Sequence, residues 1–350
     1  MSGFFASIGL PEIVAGIMVL ALNAYVLMGG ADFGGGVWDL LAGGPRRDEQ
    51  RELIAKSLAP IWEANHVWLI VVVVLLFTAF PVAFSTLGIV LHVPITLMLI
   101  GIVLRGSAFV FRSYGGGART TRRRWGAAFA GASAVTPVLL GMIVGSIASG
   151  DVATASGRVG AAPFGDVFIS PWFAPFPIAV GLFALALFAF LAAVYLTIEA
   201  KDDDALRDDF RVRALIAAIA VGALAAIALL LSRSAAPRVM AGVVGGSWSW
   251  LLHLCTAAAA VTAIIALWRR NVRIARLAAA AQVSLILWGW VLAQYPFIIP
   301  TTLSIRQASA PHVTLTLLLV GLGGGALVLI PSLRYLLRTF AGHAAESTDT

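Results

Sequence analysis

The sequence predicts an all-α integral membrane protein with about nine transmembrane helices. Of its 350 residues, 60% are hydrophobic and only 12% are charged, and the mean hydropathy is +0.95. A soluble protein has roughly 25% charged residues, so about half of the usual surface charge is missing. Backbone polar groups must be paired inside a bilayer, and the apolar runs are continuous and do not alternate, so helices are favoured over a barrel.

Nine apolar runs, each long enough to cross a bilayer, follow one another with short connections. A spanning helix needs about 20 apolar residues. We predict a single membrane domain over 1–350 with a polar tail at 339–350, because no long linker or low-complexity segment interrupts the chain. The first ten residues carry no basic segment and no cleavage signature, which favours a retained span over a signal peptide. The runs are 11–42, 57–80, 84–111, 126–148, 173–199, 213–232, 248–268, 277–298 and 312–338.

Basic residues alternate between the two sides of the predicted spans and give them a direction. The loops at 43–56, 112–125, 200–213 and 269–276 hold four, five, four and four Lys or Arg residues. Because cytoplasmic loops collect basic residues, the N-terminus is predicted outside and the C-terminus in the cytoplasm. The same bias explains the net charge of +7 without a nucleic-acid partner. Such short loops are typical of a multi-pass protein of a bacterial inner membrane. The opposite side has only Arg158, Arg233, Arg238 and Arg306.

Three charged residues lie inside the predicted spans. Asp32 lies in the first span, Glu63 near the start of the second and Arg105 near the end of the third. Given the predicted direction, all three lie in the cytoplasmic half of the membrane. A charge at the centre of a span costs about 2.5–3.5 kcal/mol on insertion scales, and such residues mark functional sites by default.

We interpret these charges as a buried polar cluster that opens to the cytoplasm, as a proton-entry path requires. A carboxyl group in an apolar site can exchange protons near neutral pH. His66 lies one helical turn after Glu63 and could share its helix face. A neutralised ion pair with a purely structural role is the alternative. Three further acids lie at span edges, where exposure at the interface is expected: Glu12, Asp39 and Glu199.

The remaining candidates favour no metal or haem site in this chain. A single cysteine, Cys255, excludes an intrachain disulfide and a Cys-based zinc site. His92, His253 and His312 show no paired spacing of the kind that two haem ligands would give. The glycines of 29–36 resemble a phosphate loop only superficially, because that fingerprint requires a preceding strand. Within a membrane helix they are typical of close helix contact.

Three stretches taken together resemble subunit II of the cytochrome bd-type quinol oxidases. Their order and spacing match that family over residues 11 to 338. The resemblance implies nine helices, arranged as two four-helix bundles plus one peripheral helix. The stretches are 29–36 (GGADFGGG), 59–69 (APIWEANHVWL) and 295–300 (YPFIIP).

The resemblance implies a heterodimer in which this chain carries no catalytic residue. Subunit I of the family binds haem b and haem d and oxidises quinol, and the complex reduces dioxygen to water with protons drawn from the cytoplasm. In the family, the acids at the positions of Asp32 and Glu63 are assigned to the proton channel. His66 is a further candidate for that path, at a position where some members have Gln. Supporting motif residues are Trp62, Asn65 and Arg105.

This sequence departs from the family at two positions. Glu63 stands where many members have Asp, and Val110 where some have a polar or acidic residue. Some members hold a structural quinone in this subunit, and the resemblance identifies no contact for one here. It also allows small single-helix subunits as further partners.

A proton-coupled secondary transporter is the alternative function. Nine helices with buried carboxylates would fit it, since transporters place such groups at broken helices near the midplane. The charges here cluster in the first three spans, and no mirrored set appears in the later half of the sequence. This asymmetry favours the oxidase subunit.

Overall fold

The computed structural model describes residues 9–58, 61–114 and 119–346, without the side chains of 58, 61–64, 113–114, 119, 122, 329–330 and 333–346. Helices make up almost all of the described chain, and a two-stranded antiparallel hairpin interrupts them near the end. The helices are α1 (Leu10–Leu40), α2 (Arg47–Leu58), α3 (Ile61–Ala79), α4 (Pro81–Val90), α5 (His92–Tyr114), α6 (Arg119–Ser149), α7 (Asp151–Ser156), α8 (Phe164–Phe168), α9 (Pro175–Glu199), α10 (Asp204–Ala235), α11 (Pro237–Gly245), α12 (Ser249–Trp268), α13 (Val272–Gln294), α14 (Ile305–Ala308) and α15 (His312–Glu346), with strands β1 (Phe297–Ile299) and β2 (Leu303–Ser304) between α13 and α14.

Seven helices of the described chain are long and apolar enough to cross a membrane: α1, α5, α6, α9, α10, α12 and α13. The bent pair of α3 and α4 raises the number to eight if the pair is one span, and α15 has a shorter apolar segment, His312–Val328. The all-helical membrane class is thus confirmed. The count of nine and the two four-helix bundles remain predictions.

The predicted third span, 84–111, is wrong in its bounds, because the chain turns at Leu91 between α4 and α5. Helices α3 and α4 meet at 114°. Phe80 is non-helical at this corner, and Pro81 begins α4 at a position where its missing N–H is tolerated. Phe80 and Leu91 are both fully buried, so the two corners are packed inside the protein.

The basic loop predicted at 43–56 is largely helical. Helix α2 occupies Arg47–Leu58, with Asp48 and Glu49 in its first turn and Lys56 in its last. These charges oppose the helix dipole at each end and so stabilise the helix. Helix α2 packs beside the end of α1, and Gln50 and Ile54 are buried.

Helix α9 lies at the centre of the fold and contacts α1, α6 and α10. The glycines of α1 allow the closest of these approaches. A Cβ at Gly34 would lie 2.0 Å from the carbonyl oxygen of Phe188, and one at Gly36 would lie 2.2 Å from the Ser133 hydroxyl. The interpretation of the glycines as sites of close helix contact is confirmed.

The Tyr-Pro motif at 295–300 ends α13 and forms the hairpin. The peptide bond between Tyr295 and Pro296 is cis. The Ile305 N–H donates to the Pro296 carbonyl at 2.9 Å, and the Ala310 N–H donates to the Ala79 carbonyl at 2.8 Å. The segment after the hairpin and α14 therefore contacts the end of α3 at the α3–α4 corner.

Candidate functional site

Asp32 lies fully buried in α1 and pairs with the buried Arg105 of α5. The Arg105 guanidinium donates to the Asp32 carboxylate and, at 3.0 Å, to its backbone carbonyl. Its Nε donates to the Ser133 hydroxyl at 2.9 Å. Two of the three residues that the sequence singled out as intramembrane charges, Asp32 and Arg105, are therefore brought together.

Two aromatic rings hold the Arg105 guanidinium. The guanidinium carbon lies 4.8 Å from the centre of the Phe33 ring and 5.0 Å from that of Phe129. A cation over an aromatic ring gains about 2 kcal/mol when the contact is desolvated. Rings and hydroxyl together fix the cation at Asp32.

One oxygen of the Asp32 carboxylate has a different environment from the other. The atom Oδ1 accepts from Arg105, whereas Oδ2 has no hydrogen-bond partner among the described residues. Buried polar atoms are nearly always hydrogen-bonded, so such an atom calls for an explanation. It gives the site a place for a proton within an otherwise neutralised pair.

Further polar groups continue along the same side of α1. Tyr25, Gly29 and Asp32 are spaced i, i+4, i+7, which places them on one helix face. Asn65 of α3 packs on this face, since a Cβ at Gly29 would lie 3.2 Å from its amide nitrogen. Asn65 and Tyr25 are buried, and neither the Asn65 amide nor the Tyr25 hydroxyl has a hydrogen-bond partner in the described chain.

The expectation that Asp39 is exposed at the interface is wrong. Asp39 is 1% exposed, because α2 folds back beside the end of α1 and covers it. Its Oδ2 accepts from Arg112 at 2.9 Å, and the Arg51 guanidinium donates to its backbone carbonyl at 3.3 and 3.4 Å. Asp39 is the buried acid that sequence reasoning missed, although its spacing of seven residues from Asp32 was visible.

The other predicted residues have mixed outcomes. The side chains of Trp62 and Glu63 lie outside the described part of the structure. His66 is partly exposed. The exposed position of Glu199 is confirmed, whereas Glu12 is only partly exposed and accepts from Arg306 at 2.6 Å.

A second polar network ties α2 to α10 beyond the end of α1. Asp209 accepts from Arg46 Nε and from Gln50 Nε2, both at 2.9 Å. Arg213 donates to the side-chain amide oxygen of Gln50, Oε1, at 2.7 Å. The hydrogen bond with Asp209 raises the pKa of Arg46 above its ordinary value. This network holds α2 where it covers Asp39.

His92 and His253 each lie beside a backbone carbonyl oxygen. His92 Nδ1 lies 2.8 Å from the Ile89 carbonyl oxygen, and His253 Nδ1 lies 2.6 Å from that of Ser249. The His92 ring, at the start of α5, thus contacts the last turn of α4, whereas the His253 ring contacts its own helix, α12. Among the described residues, no group of three or more His, Cys, Asp or Glu could hold a metal ion.

Comparison with known proteins identifies relatives of this arrangement. The chain is 32% identical over 133 residues to subunit 2 of the cytochrome bd-I ubiquinol oxidase of Escherichia coli (strain K12), covering 37% of this chain and 33% of that protein. It is 28% identical over 96 residues to subunit 2 of the cytochrome bd ubiquinol oxidase of Bacillus subtilis (strain 168), covering 27% and 28%. The aligned segments thus span a third or less of these curated relatives.

A solved structure has the same fold over almost the whole length. The bd oxidase from Geobacillus thermodenitrificans contains a chain that superposes with a TM-score of 0.71 and 23% sequence identity, covering 95% of this chain and 98% of that chain. The family model for cytochrome bd terminal oxidase subunit II matches residues 10–340. The chain therefore belongs to the family of cytochrome bd terminal oxidase subunit II.

Proposed function

We propose that this chain is the non-haem subunit II of a quinol oxidase, where it supports a haem-bearing subunit I and conducts protons to its oxygen-reduction site. The complex would lie in the bacterial inner membrane, with the C-terminal end of α1 and the basic segment 43–56 that follows it on the cytoplasmic side. The buried Asp32, with one carboxylate oxygen unpartnered among the described residues, is the observation that carries this proposal.

A purely structural ion pair explains the site less well. Burying two charges costs several kcal/mol per ion, and apolar residues of similar volume are often equal or better for stability. Asp32 and Arg105 nevertheless lie on two different spans within an apolar core. A role in binding and releasing protons would explain why the chain keeps a buried ion pair despite the free-energy cost of its burial.

The route inward would follow the polar face of α1 and α3. A proton path needs groups that both donate and accept, and the Asn65 amide and Tyr25 hydroxyl meet this need. Both are buried without hydrogen-bond partners in the described chain. We place Glu63 and His66 on the same path, as the family resemblance implies, with Trp62 as a supporting residue.

The haems of the complex are assigned to the partner. As the family resemblance implies, we place haem b and haem d on subunit I, with quinol and dioxygen as the substrates of the complex. No residue of this chain is assigned to a structural quinone.

Replacement of Asp32 by Asn in the purified complex tests the proposal. Loss of a positioned proton carrier is expected to lower oxygen consumption by roughly 100-fold. The haem spectrum is expected to stay unchanged, because the haems lie on the partner. Glu12→Gln is the matched control, since Glu12 is also paired with an arginine and lies on the same helix at its other end.

The two outcomes are distinct. Slow turnover in Asp32→Asn with normal haem content and normal Glu12→Gln supports proton conduction. Full turnover in Asp32→Asn contradicts it. Purification of the chain as a colourless, solitary protein from its native membrane would favour the transporter alternative.

A further inference from the structure

We propose that Asp39, paired with Arg112, is a second proton-binding group at the cytoplasmic mouth of the path and delivers protons to Asp32. This inference rests on the proposed function, because it adds an entry step to the same conduit.

The two ion pairs repeat in register. Asp39 follows Asp32 by seven residues on α1, and Arg112 follows Arg105 by seven residues on α5. Seven residues are two helical turns, or about 10.5 Å along the axis. The chain therefore presents the same acid–arginine contact twice, one above the other, on one side of α1.

Access to water differs between the two pairs. The Asp32 and Arg105 side chains are 0% and 3% exposed. The Asp39 side chain is 2% exposed, but its cations Arg112 and Arg51 are 19% and 30% exposed. The outer pair is thus a buried carboxylate whose partners reach water, as expected at the mouth of a path.

The free oxygen of Asp39 is the proposed proton acceptor. The atom Oδ2 is bound by Arg112, and Oδ1 has no hydrogen-bond partner among the described residues. The Arg51 Nε of α2 lies 3.8 Å from Oδ1. A hydronium ion would transfer its proton to Oδ1 and become water, and Oδ1 would then release the proton inward.

The charges around Asp39 come from two elements. Arg51 of α2 lies 3.8 Å from the carboxylate, and Arg112 of α5 donates to it at 2.9 Å. Helix α6 runs beside Arg112, since a Cβ at Gly126 would lie in ordinary contact, 3.8 Å, with its Cδ and Nη1. Removal of Arg51 therefore takes away one of the two cations beside the proposed proton acceptor.

The Ser133 hydroxyl meets α1 in the stretch of helix between Asp32 and Asp39. The distance of two turns is too long for direct proton transfer, so an intermediate group is required. Ser133 of α6 meets α1 at Gly36, one turn from Asp32 on the side of Asp39. Its hydroxyl also accepts from Arg105, so it belongs to the inner pair.

The experiment measures oxygen consumption of the purified complex as a function of pH. Asp39→Asn is expected to slow turnover about tenfold, less than the roughly 100-fold loss of an essential proton carrier, because Asp32 itself stays in place. The loss should be largest at high pH, where protons are scarce, and Asp39→Glu should restore the rate. Arg51→Gln should extend activity to higher pH.

The variants separate this inference from the proposed function. Wild-type turnover of Asp39→Asn at every pH, with slow Asp32→Asn, overturns the entry step and leaves the conduit standing. Equal, pH-independent loss in Asp39→Asn and Asp39→Glu also overturns it, since that pattern indicates structural damage. If the Asp39 variants do not assemble, an unchanged pH profile in Arg51→Gln overturns it. Full activity of Asp32→Asn overturns both proposals.

Discussion

Arg105→Gln would leave the Asp32 carboxylate buried and uncompensated. Removing one partner of a buried ion pair costs about 3–5 kcal/mol, because the remaining charge is stranded in a medium of low polarity. Here the loss is at the upper end, since Arg105 also contacts Ser133, Phe33 and Phe129. We expect a clear fall in the thermal unfolding temperature of the purified complex.

A double-mutant cycle isolates the pair from the other contacts. In Asp32→Asn with Arg105→Gln the site is neutral, so the double variant should be more stable than Arg105→Gln alone. Arg158→Gln is the control, because its ion pair with Asp166 is half exposed at 50% and 56% and such pairs contribute about 0–1 kcal/mol. Additive effects of the two substitutions would refute a coupled buried pair.

Two further predictions concern packing and the second acid. Gly34→Ala should destabilise the complex by about 1–3 kcal/mol in thermal unfolding, because its methyl group would overlap the Phe188 carbonyl. The control Gly16→Ala on the same helix meets open space and should be tolerated. Equal stability of the two variants would contradict the packing. Glu63→Gln should lower oxygen consumption while haem content stays intact, and unchanged turnover would remove Glu63 from the path.

Much of the membrane architecture could be predicted from the sequence, because continuous apolar runs report spans directly. The position of Asp32 and Arg105 at similar depth also followed from span direction. The corner at Leu91 did not, since the residues on both sides are equally apolar and hydropathy cannot separate α4 from α5. Only Pro81 and Pro94 marked the region as irregular.

The outer ion pair was missed for a different reason. Asp39 lies at the end of an apolar run, where exposure is the usual outcome for an acid. Its burial depends on α2, which folds back beside α1 and is held by the network around Asp209. The repeated spacing of seven residues in both Asp32–Asp39 and Arg105–Arg112 was the available signal.

Proton uptake during a single turnover tests the central claim most directly. The reduced complex in lipid vesicles would be mixed with oxygen, and proton uptake from the cytoplasmic face would be followed beside the haem spectrum. For Asp32→Asn, the account predicts that uptake slows by roughly 100-fold while oxygen binding at the haem keeps its wild-type rate. Uptake at the wild-type rate in this variant would contradict a proton path through Asp32.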